Sequence, residues 1–148
     1  MSEHHPYLEA VLKAGRPLKM RDGLAVSLGG EVLSMDPESG DAVIAFEPDE
    51  RFLQGGGVIH GGIVSTMLDY GVAMSGFCKV GKGRSFATVS LTVHFLKPVL
   101  TGRHLVESRL DRMGSSLIFA SAALRRDGSE APLATATAVL AMTRRTES

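Results

Sequence analysis

The chain has 148 residues, the size of one ordinary domain, and folding at this length buries enough surface for a substantial hydrophobic core. Its 16 basic and 16 acidic residues cancel, and no block of like charge occurs, so neither a nucleic acid nor an anionic membrane is favoured as a partner. The only cysteine, Cys78, excludes an intrachain disulfide and a cysteine-based zinc site.

The N-terminal segment predicts a helical extension of a single domain that covers residues 1–148. Pro6 suits the first turn and Gly15 the C-terminal end of a short amphipathic helix over residues 6–14. We assign residues 1–22 to this extension. The first residues lack the basic and apolar regions of a signal peptide, and no run of about eighteen apolar residues follows, so we expect a cytoplasmic protein.

A β-hairpin is predicted next. Residues 23–34 have the composition of a first strand, bent at Gly29 and Gly30. Residues 36–41 have the composition of a turn, and residues 42–47 alternate as a second strand. A glycine-rich loop then leads to the longest helical pattern of the chain.

That pattern covers residues 58–78 and predicts one long central helix. At about 3.6 residues per turn, one stripe is large and apolar and is expected to face the core: Ile63, Met67, Tyr70, Met74 and Phe77. A second stripe is small except at its carboxylate, so we expect it to face another polypeptide: Gly62, Thr66, Asp69, Ala73 and Gly76. A carboxylate in that position is either paired or functional, because an unpaired buried charge is very costly.

The start of this helix predicts an oxyanion site. Gly61 and Gly62 let a ligand approach their backbone N–H groups, which lie at the positive end of the helix dipole. From His60 to Asp69 the helix rises about 13 Å and turns by about half a revolution. One chain therefore cannot bring its Asp69 to its own Gly61, and joint action on one substrate requires a homodimer with composite sites.

The remaining sequence has the period-two pattern of strands. In the first strand the alternation puts Phe86, Thr88 and His94 on one side and Leu91 and Phe95 on the other. The four predicted strands cover residues 85–96, 103–112, 116–125 and 133–143, with turns at 113–115 and 126–129. Runs of strand around a single long helix predict an α+β fold in which an antiparallel sheet wraps the helix.

These features resemble the hotdog-fold acyl-CoA thioesterases, and most closely the small phenylacetate-type (PaaI-like) group. The resemblance rests on His60-Gly61-Gly62 at the start of the only long helix, on the acid nine residues after His60, and on the strand order. The strand that ends in Val93-His94-Phe95-Leu96-Lys97-Pro98 is also similar to that group's third strand. The resemblance covers roughly residues 40–143.

The resemblance implies a role for each of five residues. Asp69 matches the general base or nucleophile that acts on the thioester. Gly61 matches the residue whose backbone N–H holds the thioester carbonyl, and His60 matches the histidine that shapes that turn. Gln54 falls where the family has Asn or Gln to position the water or the substrate, and Thr88 falls where some members have a Ser that orients the water.

The resemblance also implies an acyl-CoA substrate and a homodimer, associated further as a dimer of dimers, with Asp69 and Gly61 from different subunits. No cofactor is expected, since CoA is part of the substrate, and the five histidines show no metal-ligand spacing. Two other readings stay open: a hotdog enoyl-CoA hydratase or dehydratase, and a non-catalytic acyl-CoA binding protein. The sequence does not specify the acyl group.

Overall fold

A long helix lies against a seven-stranded antiparallel sheet in the computed structural model, which describes residues 3–144. The helices are α1 (Pro6–Ala14), α2 (Gly23–Ser27) and α3 (Gly61–Lys79), with a 3₁₀ turn at Glu50–Phe52. The strands are β1 (Leu18–Lys19), β2 (Glu31–Met35), β3 (Ala42–Phe46), β4 (Arg84–Phe95), β5 (His104–Met113), β6 (Leu117–Arg126) and β7 (Pro132–Arg144). Their spatial order, β1-β2-β3-β5-β6-β7-β4, confirms the predicted α+β hotdog fold.

The region before the hairpin differs from the prediction. Residues 23–34 are not one bent strand, because residues 23–27 form α2 and the strand begins only at Glu31. The carboxylate of Asp22 accepts a hydrogen bond from the backbone N–H of Ala25, 3.4 Å away, and so caps α2. The left-handed conformation of Gly29 (φ 63°) then turns the chain into β2. The short strand β1 was not predicted at all, whereas α1 has the predicted bounds.

The core face of α3 lies on a different side from the predicted stripe. Met67 and Met74 are buried as expected, but Ile63, Tyr70 and Phe77 are only half-buried. The fully covered face includes Val64, Leu68, Gly71, Val72, Ser75 and Cys78. At Gly71 the sheet comes so close that an added Cβ would lie 2.5 Å from Cγ1 of Val106. Small residues on this face thus let β5 approach the helix, a packing that periodicity in an almost wholly apolar helix does not reveal.

Strand β4 lies at the edge of the sheet and contains a β-bulge. Thr88 pairs with Leu140 and Ser90 pairs with Val139, so Val89 is an extra residue in the ladder. The predicted alternation therefore holds only up to the bulge. Phe86 before it and Leu91 and Val93 after it all pack against the core, although the first has an even number and the others are odd.

Candidate active site

An acid and a hydroxyl meet on the side of α3 that faces β4. Oγ1 of Thr88 donates a hydrogen bond to Oδ1 of Asp69, with 2.8 Å between the two oxygens. Asp69 is half-buried in the middle of the helix, and Thr88 is exposed on the edge strand. Among residues 3–144, no lysine, arginine or histidine forms an ion pair with Asp69. Its second carboxylate oxygen is therefore available to a substrate or a water molecule.

The neighbouring tyrosine does not compete for this role. The hydroxyl of Tyr70 donates a hydrogen bond to the carboxylate of Asp22. Burial, and then that hydrogen bond, raise the pKa of Tyr70 to about 12. Tyr70 therefore stays protonated at neutral pH, and its hydroxyl joins α3 to the start of α2.

The start of α3 exposes backbone donors. His60 is the N-cap residue, but its side chain makes no capping hydrogen bond and is exposed. Its carbonyl oxygen accepts hydrogen bonds from the N–H groups of Ile63 and Val64, 2.9 and 3.0 Å away. The N–H groups of Gly61 and Gly62 come earlier in the first turn, where no helix carbonyl can accept them. The predicted oxyanion donors thus lie at the end of the helix, where an anion is stabilised.

Gln54 is held beside this helix start by a tight turn. Its main-chain N–H donates to the carbonyl oxygen of Val58 (2.8 Å), and its side-chain Oε1 accepts from the N–H of Gly56. An added Cβ at Gly56 would lie 2.9 Å from that oxygen, so a larger residue there would displace the end of the Gln54 side chain. With its oxygen engaged, the side-chain amide of Gln54 has its NH₂ group left to donate.

A cavity of about 350 Å³ joins Gln54 to the helix start. Its lining includes Gln54, Gly61, Phe95, Leu96, Lys97 and Val99. Residues 95–99 form one wall of the cavity. The N–H of Ile59 donates to the carbonyl oxygen of Val99 (2.8 Å), which links this wall to the residues that precede α3. Neither Asp69 nor Thr88 is among the lining residues.

The five predicted site residues therefore form two groups within one chain. Asp69 and Thr88 make one half-site, which we call the acid half-site. Gly61 and Gln54 make the other, which we call the donor half-site, and His60 lies at its edge with an exposed ring. The catalytic roles of these residues stay predictions. Sequence reasoning did not identify Phe95 as a cavity residue, and without the bulge in β4 the alternation put it on the side opposite Thr88.

No metal site accompanies these groups in the part of the chain that the structure describes. Residues 3–144 contain no cluster of three or more His, Cys, Asp or Glu side chains that could hold a metal ion. The described helices also include none that is long and apolar enough to cross a bilayer.

Comparison with known proteins points to one family. The model of the thioesterase superfamily matches residues 56–132, which include α3 and β4 to β6. A candidate esterase of Saccharolobus solfataricus is 31% identical over 88 residues, which are 60% of this chain and 62% of that protein. A candidate esterase of Pseudomonas aeruginosa is 34% identical over 83 residues, 55% of this chain and 62% of that protein. The matched region thus spans about three fifths of the length of these relatives.

Solved structures give the same picture at greater coverage. A candidate thioesterase from Ralstonia eutropha, described as related to phenylacetic acid degradation, superposes with a TM-score of 0.80 at 30% identity and covers 91% of this chain and 98% of its own. A thioesterase family protein from Silicibacter pomeroyi gives 0.77 at 28% identity, with 84% and 92% covered. The PaaI protein of Escherichia coli gives 0.75 at 18% identity, with 96% and 94% covered, which is a likeness of fold.

Proposed function

This chain belongs to the thioesterase superfamily, and we propose that it hydrolyses the thioester of an acyl-CoA to a free acid and CoA. The observation that carries the proposal is the carboxylate of Asp69, which is oriented by the hydroxyl of Thr88 and has no ion-pair partner among the described residues. A structural neighbour from Streptococcus mutans, 18% identical, was solved with acetyl-CoA bound, which supports CoA esters as the substrate class.

The donor half-site would polarise the substrate. The thioester carbonyl oxygen accepts hydrogen bonds from the N–H of Gly61 and from the side-chain NH₂ of Gln54. These donors become stronger partners as negative charge develops on that oxygen in the tetrahedral transition state. Removing one such donor typically costs about 10²–10³-fold in kcat.

The acid half-site would supply the attacking group, and two routes fit a carboxylate in this position. In one, Asp69 removes a proton from a water molecule, whose oxygen attacks the carbonyl carbon. In the other, an oxygen of Asp69 attacks directly, the CoA thiolate leaves, and water hydrolyses the resulting mixed anhydride. Either route consumes one water molecule, breaks the carbon–sulfur bond and leaves the acid and CoA.

We further propose that the two half-sites come from different copies of the chain. Gly61 and Asp69 are separated along the helix by a rise of about 12 Å, too far for both to contact one carbonyl group. The free edge of β4 offers a surface for a second copy, because an unpaired edge strand exposes its backbone donors and acceptors. Val89 and Phe95 on this strand are 61% and 56% exposed, although both are large and apolar.

The contacts of β4 also define the register that such a dimer needs. Thr88 lies at Asp69, and Phe95 lies at Gly61, with its Cζ 3.2 Å from an ideal Cβ on that glycine. If two copies pair antiparallel along β4, the acid half-site of one meets the donor half-site of the other when Thr88 faces Phe95 across the interface. Because Val89 is an extra residue in the strand, the midpoint between Thr88 and Phe95 is Thr92, and the twofold axis would then pass beside that residue.

The proposed assembly extends to a dimer of dimers, as the resemblance implies. The outer face of the sheet carries a shallow groove of about 570 Å³ along β3, β5, β6 and β7, away from both half-sites. Small side chains such as Ala123 and Thr135 line it, so a second sheet could pack closely against it. Light scattering after size exclusion distinguishes a dimer from a tetramer.

A thiol-release assay over acetyl-, hexanoyl-, benzoyl- and palmitoyl-CoA tests the proposed activity. We expect hydrolysis of at least one of these esters and a loss of about 10²–10⁴-fold in kcat for Asp69→Asn, with an unchanged circular dichroism spectrum. Asp111→Asn, an exposed acid outside both half-sites, is the matched control and should keep full activity. Full turnover by Asp69→Asn, or hydration of an enoyl-CoA without any hydrolysis, would contradict the assignment.

A further inference from the structure

The bulge in β4 places two residues on the inner face of the sheet that a regular strand would put on opposite faces. Side chains alternate along a regular strand, and Thr88 and Phe95 are an odd number of positions apart. The extra residue at Val89 brings the two side chains to the same face of the sheet. Thr88 therefore contacts Asp69 while Phe95 lies over Gly61. Bulges are frequent next to active sites, where they re-aim side chains.

Core packing does not account for the position of Phe95. Its ring is 56% exposed and lines the cavity of the donor half-site. The edge of the ring lies directly beside Gly61, since an ideal Cβ on that glycine would be 3.2 Å from Cζ of Phe95. A group whose carbonyl oxygen binds the N–H of Gly61 would therefore touch this ring.

The rest of the cavity has the character of a pocket for a small apolar group. Leu96, Val99, Val58 and Ile59 form its walls, and Gln54 and Lys97 are its polar side chains. Its volume of about 350 Å³ is near the lower end of the range of about 300–1,000 Å³ for small-molecule pockets. The pantetheine arm of CoA carries two amides that need hydrogen-bonding partners, so these apolar walls suit an acyl group better.

We propose that Phe95 is a specificity-determining residue of the active site, and that its ring limits the acyl group to a short chain or a single ring. The inference rests on the proposed thioesterase function and deepens it. The ring packs against the acyl carbons next to the thioester, while residues Leu96 to Val99 line the adjoining wall of the cavity.

The test compares kcat/KM of the wild type and Phe95→Ala over acetyl-, hexanoyl-, benzoyl- and palmitoyl-CoA. We expect the wild type to prefer hexanoyl- or benzoyl-CoA. Phe95→Ala should lose at least about tenfold on those esters, within the range that hydrophobic pocket contacts supply, and gain relative activity on palmitoyl-CoA. Leu100→Ala is the control, because Leu100 is 50% exposed on the adjoining segment but does not line the cavity.

An equal change on all four esters in Phe95→Ala, or a wild-type preference for palmitoyl-CoA, would overturn the inference. Should Phe95→Ala fail to fold or to assemble, Phe95→Leu decides the same two outcomes, since it removes the ring and keeps an apolar side chain. Calorimetry with the non-hydrolysable thioethers S-hexyl-CoA and S-hexadecyl-CoA separates this inference from the proposed function. If the wild type prefers S-hexyl-CoA, Phe95→Ala loses that preference and no ester is hydrolysed, the proposed function alone is contradicted. If esters are hydrolysed but Phe95→Ala has the same ester preference as the wild type, the role of Phe95 alone is contradicted.

Discussion

The two half-sites of α3 are built from opposite chemistry. The acid half-site is the carboxyl side chain of Asp69 in mid-helix, hydrogen-bonded to the hydroxyl of Thr88. The donor half-site consists of the N–H of Gly61 and the amide of Gln54, with apolar walls around them. The rise of about 12 Å between Gly61 and Asp69 along α3 is the reason that a complete site is expected only in a dimer.

The strongest test within the donor half-site removes the backbone N–H of Gly61. Gly61 is the first residue of α3, where proline is well tolerated, and His60 before it already has φ −50° and ψ 137°. Gly61→Pro should therefore keep the helix, lose the N–H, and lower kcat by about 10²–10³-fold.

Gly61→Ala is the matched variant, since it adds a Cβ and keeps the N–H. Both substitutions bring a Cβ to 3.2 Å from the ring of Phe95, so that ring must shift slightly in each. We expect Gly61→Ala to keep most of its activity in the thiol-release assay. Equal losses in the two variants would mean that space at Gly61, and not its N–H, matters.

A smaller effect is expected in the acid half-site. Thr88→Val keeps the shape of the side chain and removes the hydrogen bond to Asp69. Because a hydrogen bond to a charged group contributes about 1.5–3 kcal/mol, we expect a loss of at least about tenfold in kcat with little change in KM. Thr88→Ser keeps the hydroxyl and should stay near the wild type. If Thr88→Val and Thr88→Ser have the same kcat, Thr88 does not orient Asp69, and the acid half-site consists of Asp69 alone.

The sequence specified the acid half-site and the helix start because both depend on local spacing. Asp69 is the only charged residue between His60 and Lys79, and Gly61 stands where the glycine-rich loop ends and the helical pattern begins. The contact between Thr88 and Asp69 was less predictable, since a connector between helix and strand sets their alignment. The structure places the two side chains in contact, as their predicted roles require.

Three features could not be predicted, each for a physical reason. The bulge at Val89 has no signature in an alternating pattern, so Thr88 and Phe95 were wrongly predicted to lie on opposite sides of the strand. The short helix α2 is capped by Asp22, a contact that the strand-like composition of residues 23–34 does not indicate. One wall of the cavity forms because residues 95–99 fold back onto the segment before α3, and such a tertiary contact leaves no periodic signal in the sequence.

The smallest effect concerns the support of the cavity wall. His104 is fully buried, and its Nδ1–H donates to the carbonyl oxygen of Gly102 (2.8 Å), at the end of the segment that lines the donor half-site. Burial lowers the pKa of His104 below its usual value of 6.5. The unfolded chain therefore binds more protons than the folded one just below pH 6.5, so this group contributes a loss of stability as the pH falls through that range.

Thermal unfolding between pH 7.5 and pH 5 checks this effect. We expect Tm of the wild type to fall by on the order of a few degrees more than Tm of His104→Asn. Asn keeps a donor for the carbonyl of Gly102 and does not titrate. Parallel pH profiles for the two proteins would show that His104 contributes nothing to the acid sensitivity of this region.

Mixing two inactive variants tests the shared site most directly. Asp69→Asn homodimers lack the acid, and Gly61→Pro homodimers lack the donor. A mixed dimer has one site with both groups intact and one site with neither. After subunit exchange of equal amounts, half of the dimers are mixed, so about a quarter of wild-type activity should return. Activity that stays at the sum of the two separate variants would contradict a site shared between copies of this chain.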